Sequence, residues 1–331
     1  MQRLITILLC LTLTLGAYAQ RRALTLSDSA SIYLLTCTPG TEVWSKYGHT
    51  GLRVEDKPSQ IDMVFNYGVF SLTSDDFYLK FVQGNTYYQL GIESYEEFKS
   101  FYGEWGRKTY WQELNLTTSQ KQSIFEALVE NYRPENRKYL YNFVFDNCAT
   151  RPYYLLKEAI GDSIVSEYTG YCQHTYREAI SHYTRPNSWV DFGINLIFGE
   201  KANAAMSSEQ RLFLPEELMF YIAEAKFADG TSLVKNQDIA AFEIEKVDWY
   251  ANCWIGIGVF AILMLLISLW DRHRSRLSWW VDVLFCVVYL VLVSVVIFLT
   301  FYSSHPLVGF NWRLLLLPII HLCARFIYWL R

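Results

Sequence analysis

The chain has 331 residues, 52% of them hydrophobic and 17% aromatic, with a formal net charge of only −4. That length suggests about two domains, and the weak charge, with no long basic run, excludes an electrostatic case for nucleic acid. The apolar residues gather at the two ends of the chain, which points to a membrane protein.

In chain order, the first segment is "MQRLITILLCLTLTLGAYAQ". One arginine precedes a short apolar run, and Ala17-Tyr18-Ala19 stands before Gln20. This pattern predicts a signal peptide over 1–19, too short in its apolar run to span a bilayer comfortably. An uncleaved N-terminal anchor is the plainer alternative.

Residues 20–248 then form an extracytoplasmic domain, long enough for a real core. Its first half reads as strands. "HTGLRV" alternates, with Thr50, Leu52 and Val54 on one face and His49, Gly51 and Arg53 on the other. "IDMVFNYGVF" puts Asp62, Val64 and Asn66 on one face, and "TYYQLGIE" and "KTYWQELNL" are rich in strand-forming aromatics. The second half reads as helices: Thr117 to Tyr132 with a Thr117/Gln120 capping box, Tyr153 to Ile160 stopped by Gly161, then Gln173 to Tyr183, Trp189 to Phe198 and Pro215 to Phe227. Strands followed by helices argue for an α+β domain.

Residues 249–331 carry three apolar stretches, about 250–270, 277–301 and 312–329, each read as a transmembrane helix. The loop "DRHRSR" between the first two holds three arginines, so it is cytoplasmic by the positive-inside bias. The large domain and the loop "YSSHPLVGFNWR" are then both outside. His305, Asn311 and Arg313 in that loop face the domain side, although a polar turn with an interfacial arginine is the plainer reading.

Three cysteines lie in the domain: Cys37, Cys148 and Cys172. An odd number outside the cytoplasm leaves either a stray or a working thiol. Cys37 and Cys172 are able to pair and leave Cys148 free, a connectivity the sequence leaves open. A lone cysteine is most often a small buried hydrophobe. Cys148, however, follows Asp146 and Asn147 at what reads as a helix start, where free N–H groups and the dipole favour a thiolate. His49 sits at the mouth of a strand between Gly48 and Gly51. A thiol at a helix start facing a histidine on a strand is how thiol hydrolases and acyltransferases form an ion pair, with the base oriented by a third polar group. Pro152 would fall inside a helix beginning at Cys148, so the regular helix is expected to start near Arg151 or to carry a distorted first turn. His174 and His182 share a helix face, but no third and fourth ligand accompanies them, so a solvated polar face is favoured over a metal site. No cofactor-binding motif is present.

The segments "YGHTGLRV", "FNYGVF", "NYRPENRKYLYNFVFDNCATR" and "LFLPEEL" resemble the periplasmic domain of the Lnb-type bacterial lipoprotein N-acyltransferases, over most of Tyr33 to Phe227. The apolar C-terminus with "HPLVGFNW" fits the same family. That domain is similar to circularly permuted papain-like (NlpC-type) thiol enzymes, in which the histidine precedes the cysteine. The resemblance implies Cys148 as nucleophile and His49 as base. The third group stays open between Asp62 and Asn66, with Asn147 reading as part of the helix cap. Tyr47, Arg151 and His305 are the expected substrate contacts, and "FYLKFVQGNTYY" is a candidate acyl-slot lining or simply a strand with its core contacts. The implied enzyme sits in the inner membrane with several spans and a periplasmic catalytic domain. It needs no cofactor, takes a phospholipid as acyl donor and acylates a diacylated lipoprotein. Two other readings stand beside it: a membrane-anchored cysteine amidase or peptidase acting on cell-wall peptides through the same pair, and a non-catalytic scaffold with an inert thiol.

Overall fold

The computed structural model describes residues 24–70, 77–161, 164–170, 175–185, 188–243 and 249–329. The expected signal peptide over 1–19, Cys172 and His174 lie outside the described residues.

Seven antiparallel strands form one sheet. They are β1 (Ser31–Cys37), β2 (His49–Asp56), β3 (Ile61–Val69), β4 (Tyr87–Ser94), β5 (Thr109–Leu114), β6 (Lys138–Leu140) and β7 (Val234–Asp238), in the order β6-β4-β3-β2-β1-β5-β7. The period-2 alternation of side chains decides which residues meet which layer. On one face Ile32, Leu34, Leu52, Val54, Phe65 and Tyr67 are buried in the main core. Helices α3 (Thr118–Tyr132) and α4 (Thr150–Ile160) cover that face through Ile124, Leu128, Tyr153 and Leu156. On the other face Leu35, Cys37 and Val64 pack under α2 (Tyr95–Glu104) through Phe98 and Tyr102. Both α2 and α3 open with complete capping boxes, Ser94 with Glu97 and Thr117 with Gln120, which satisfies N–H groups that a helix start otherwise leaves bare.

A second apolar cluster is built from α5 (Tyr176–Thr184) and α7 (Pro215–Glu224), with Phe198, Phe242 and Leu307. Between them runs α6 (Ser188–Ile197), and a short helix α1 (Phe77–Gln83) follows β3. Run together, these elements give a mixed α/β domain, followed in the chain by apolar helices.

Two helices, not three, are long and apolar enough to cross a membrane among the described residues: α8 (Cys253–Arg274) and α9 (Trp279–Tyr302), with mean hydropathies of 2.4 and 3.0. The expected third span over 312–329 is interrupted. Trp312–Leu316 winds as a 3-10 turn, and α10 (Leu317–Trp329) has 13 residues, about 20 Å of helix against a hydrocarbon core of about 30 Å.

One end of each of α8 and α9 is tied to the α/β domain. Cys253 N–H donates to Ser188 Oγ at 2.7 Å, and Gln83 donates to Tyr302. The loop after α9 bonds to α1 and to the end of α6: Ser304 N–H to Gln83 O at 2.8 Å, Gly199 N–H to Leu307 O at 2.9 Å, Asn311 Nδ2 to Asn195 O at 2.7 Å.

Candidate active site

Cys148 lies in the turn just before α4. Asn147 folds that turn: its Oδ1 accepts from Ala149 N–H at 2.8 Å and Thr150 N–H at 2.9 Å, and its Nδ2 reaches Phe213 O at 2.8 Å. Asn147 is thus a cap, which removes it as an orienting group. Pro152 does not interrupt the helix, which begins at Thr150. It stands in the first turn of α4, where an N–H is dispensable.

The sulfur meets the sheet where β2 begins and β3 ends. Gly68 makes this possible. It has φ +93°, and a Cβ there would stand 3.6 Å from Cys148 Cβ and 3.8 Å from His49 Cε1. The thiol and the imidazole therefore flank one glycine. Cys148 is buried, at 9% exposure, among the residues of the main core. The backbone N–H groups of Thr50 and of Cys148 itself face the sulfur, the kind of donors that stabilise a developing oxyanion or thiolate.

His49 is held from two sides. Its ring stacks on Tyr102 with centroids 5.6 Å apart, and its Nε2 donates to Asn66 Oδ1 at 2.6 Å. That leaves Nδ1 as the free ring nitrogen. Asn66 Nδ2 in turn donates to Glu93 Oε1 at 2.8 Å. Burial pulls the His49 pKa down to about 4, with the Asn66 bond opposing and the nearby Arg107 charge adding. Burial pushes the Cys148 thiol up to about 11, against the pull of the two N–H donors and Arg107. Burial therefore works against the expected ion pair, because removal from water disfavours both charged forms.

A Gly68→Ala variant should lose activity by about tenfold or more and stability by about 1–3 kcal/mol. The alanine is strained at that φ, and relief of the strain would shift the backbone that both Cys148 and His49 border. Activity and thermal unfolding of the purified variant check this.

A family model described as the Lnb N-terminal periplasmic domain matches residues 18–182, and one described as the Lnb transmembrane domain matches residues 251–331. The chain belongs to the Lnb family. It is a membrane protein with a periplasmic region. No curated protein and no solved structure matches the chain.

Within this Lnb-family protein, the other expected site residues fare differently. Asp62 is not at the site. It pairs with Arg53 at 2.6 Å, and that guanidinium lies 3.8 Å above the Tyr95 ring. Asp62 and Asn66 share a strand face but stand four residues apart, about 13 Å along an extended chain. Arg151 is also committed elsewhere. It binds Asp146 through two bonds, at 2.6 and 2.8 Å, and sits 3.5 Å over Tyr139. Tyr47 packs its ring on Phe143 at 4.6 Å and on Tyr183 at 5.9 Å. His305 donates through Nε2 to Phe81 O at 2.7 Å, joining the loop after α9 to α1. Of the aromatic run expected to line an acyl slot, Phe77–Gln83 is helical, and Tyr88 borders Gly68, where a Cβ would stand 4.0 Å from its Cδ2. Tyr88 is the centre of a stack with Phe70 at 4.8 Å and Tyr141 at 4.0 Å.

Two charged residues near the site were not anticipated. Glu93 reaches Asn66 only through the pairing of β3 with β4, 27 positions away in sequence. Arg107 lies 4.6 Å over Tyr102, the ring that His49 stacks on, and donates through Nε to Thr38 O at 2.6 Å, while its Nη2 is buried without a partner. Cys37 is a free, buried thiol against Thr109 Oγ1 at 3.6 Å. No group of three or more metal-ligating side chains occurs among the described residues.

Proposed function

We propose that this protein is an apolipoprotein N-acyltransferase of the inner membrane, crossing it more than once, with its thiol site in the periplasm. The observation that carries the reading is that Cys148 and His49 both border Gly68, while His49 Nε2 is bonded to Asn66 and its Nδ1 is not used in that bond. Cysteine, histidine and asparagine in these roles recur in papain-like enzymes, and the order here, histidine before cysteine, is that of a circular permutant. Membership of the Lnb family supports the substrate class.

The reaction has two halves. His49 Nδ1 takes the Cys148 proton as the sulfur attacks an acyl ester carbonyl of a phospholipid. The ester C–O bond breaks, and His49 returns the proton to the leaving lysophospholipid oxygen. The acyl group rests on Cys148 as a thioester. The α-amine of an S-diacylglyceryl-cysteine then attacks, the C–S bond breaks, and an amide forms. The amine proton passes through His49 back to the sulfur. Splitting the transfer replaces one hard step by two easier ones. An amine of pKa about 8 is partly neutral at physiological pH and competent to attack. The domain is tied to the ends of α8 and α9, and on this reading anchoring in the membrane raises the effective concentration of both lipid substrates.

Mass spectrometry of lipoprotein N-termini tests the reading, in cells depleted of their own N-acylation activity and expressing this chain. Triacylated termini are expected. Diacylated termini despite expression would sink the acyltransferase and leave the amidase.

A further inference from the structure

Glu93 stands on β4 opposite Val64 of β3, and Asn66 lies two residues along β3 on the same face. Its Oε1 accepts from Asn66 Nδ2 at 2.8 Å, and Asn66 is its one hydrogen-bond donor among the described residues. An ionised carboxylate accepts hydrogen bonds and cannot donate them. The Asn66 amide nitrogen must therefore face Glu93, which turns the amide oxygen toward His49. That oxygen also only accepts. The His49 Nε2 that meets it at 2.6 Å must therefore carry a hydrogen. A neutral imidazole carries one ring proton, and His49 is neutral well below pH 7. Its Nδ1 is then a bare lone pair, the form a base needs.

We infer that Glu93 is a positioning residue that sets the tautomer of His49 by fixing which way the Asn66 amide faces. This role rests on the Cys148–His49 reading of the site. Without the carboxylate, the Asn66 amide is free to turn over and offer its NH2 to Nε2. Nε2 then becomes the acceptor, the ring proton moves to Nδ1, and the thiol loses its base. A residue held only for sheet stability would not act in this way, because its loss would leave the ring proton where it was.

The test uses the full chain in lipid nanodiscs with 15N-labelled histidine, the His49 signals being assigned by their loss in His49→Gln. Wild type is expected to show a protonated Nε2. Glu93→Leu is expected to move the proton to Nδ1 and to slow acyl transfer by about a hundredfold or more, as a wrong tautomer does in related constellations. Glu93→Gln still presents an amide oxygen to Asn66 and should keep the tautomer and most of the rate. If Glu93→Leu does not fold, Glu93→Lys gives the same reading, since an ammonium only donates and forces the amide over. An unchanged Nε2–H signal in a folded Glu93→Leu or Glu93→Lys protein overturns the inference. A tautomer shift in a protein whose wild type transfers no acyl chain supports it, and the fault then lies with the acyltransferase reading.

Discussion

Replacing Cys148 by serine lowers acyl transfer by about 10^4-fold or more and leaves lipoprotein N-termini diacylated. Serine keeps the size and the capped turn, so the fold is expected to survive. A hydroxyl is a much weaker acid and nucleophile than a thiol, and its ester would not match the reactivity of a thioester. Triacylated termini with the serine variant would remove Cys148 from the mechanism. The wild-type thiol has a further signature. With a pKa raised to about 11, its thiolate fraction at pH 7 is on the order of one in ten thousand. Alkylation of Cys148 by iodoacetamide should therefore climb about tenfold per pH unit toward pH 11, with no plateau near neutrality. His49 gains its proton only as the pH falls through about 4. From about pH 5 to about 10 the pair keeps one protonation state, a thiol beside a neutral base. The acyl-transfer rate should then follow the acceptor amine, rising until about pH 8 and levelling above it. An alkylation plateau at pH 7 would instead reveal a resting ion pair.

A single sequence carried much of this site, though unevenly. The alternation in "HTGLRV" placed Thr50, Leu52 and Val54 on a buried face, and all three are buried. Thr117 and Gln120 close the capping box that their spacing suggested. Strand β1, by contrast, lies at the heart of the sheet between β2 and β5, yet "SIYLLTC" shows little alternation. Its side chains are covered by helices on both faces, and a strand buried on both sides reads as an apolar run of no definite type. Strands β6 and β7 are short, at 3 and 5 residues, and mostly exposed, so they carry no period to detect.

The orienting group shows the same limit at finer scale. Period 2 puts Asp62 and Asn66 on one face and cannot choose between them. Register chooses. Asp62 sits opposite Glu55, next to Arg53, whose charge it meets, whereas Asn66 falls beside the strand end that carries His49. Glu93 needed one more level, the pairing of β3 with β4, which no local pattern in the chain encodes. The opposition of burial to an ion pair depends on the packing around Cys148 and His49, which a motif does not contain.

The charged residues of the apolar C-terminal region lead to the second large effect: Arg325→Leu should lower the unfolding free energy by about 3–5 kcal/mol. Arg325 on α10 donates to Asp271 of α8 at 2.7 Å and to Asp282 of α9 at 2.6 Å, and its Nη2 donates to Ser278 O at 3.2 Å. His321 joins through Nε2 to Asp282 at 2.8 Å, and Ser278 donates to both oxygens of Asp271. Arg325 is 6% exposed and Asp271 only 1%. One guanidinium therefore binds together three helices that otherwise offer each other mainly apolar surface. Removing it leaves the Asp271 carboxylate buried without its cation and Asp282 with His321 as its remaining partner, and the cost comes from the buried charge of Asp271 more than from the lost bonds. The double replacement Asp271→Asn with Asp282→Asn in the Arg325→Leu background should then recover part of the loss, although it removes further charged partners. Titrating the micelle-bound protein with SDS and following helix content measures each variant. If the triple variant is less stable than Arg325→Leu alone, the stabilisation lies in the individual hydrogen bonds and not in the pairing of buried charge.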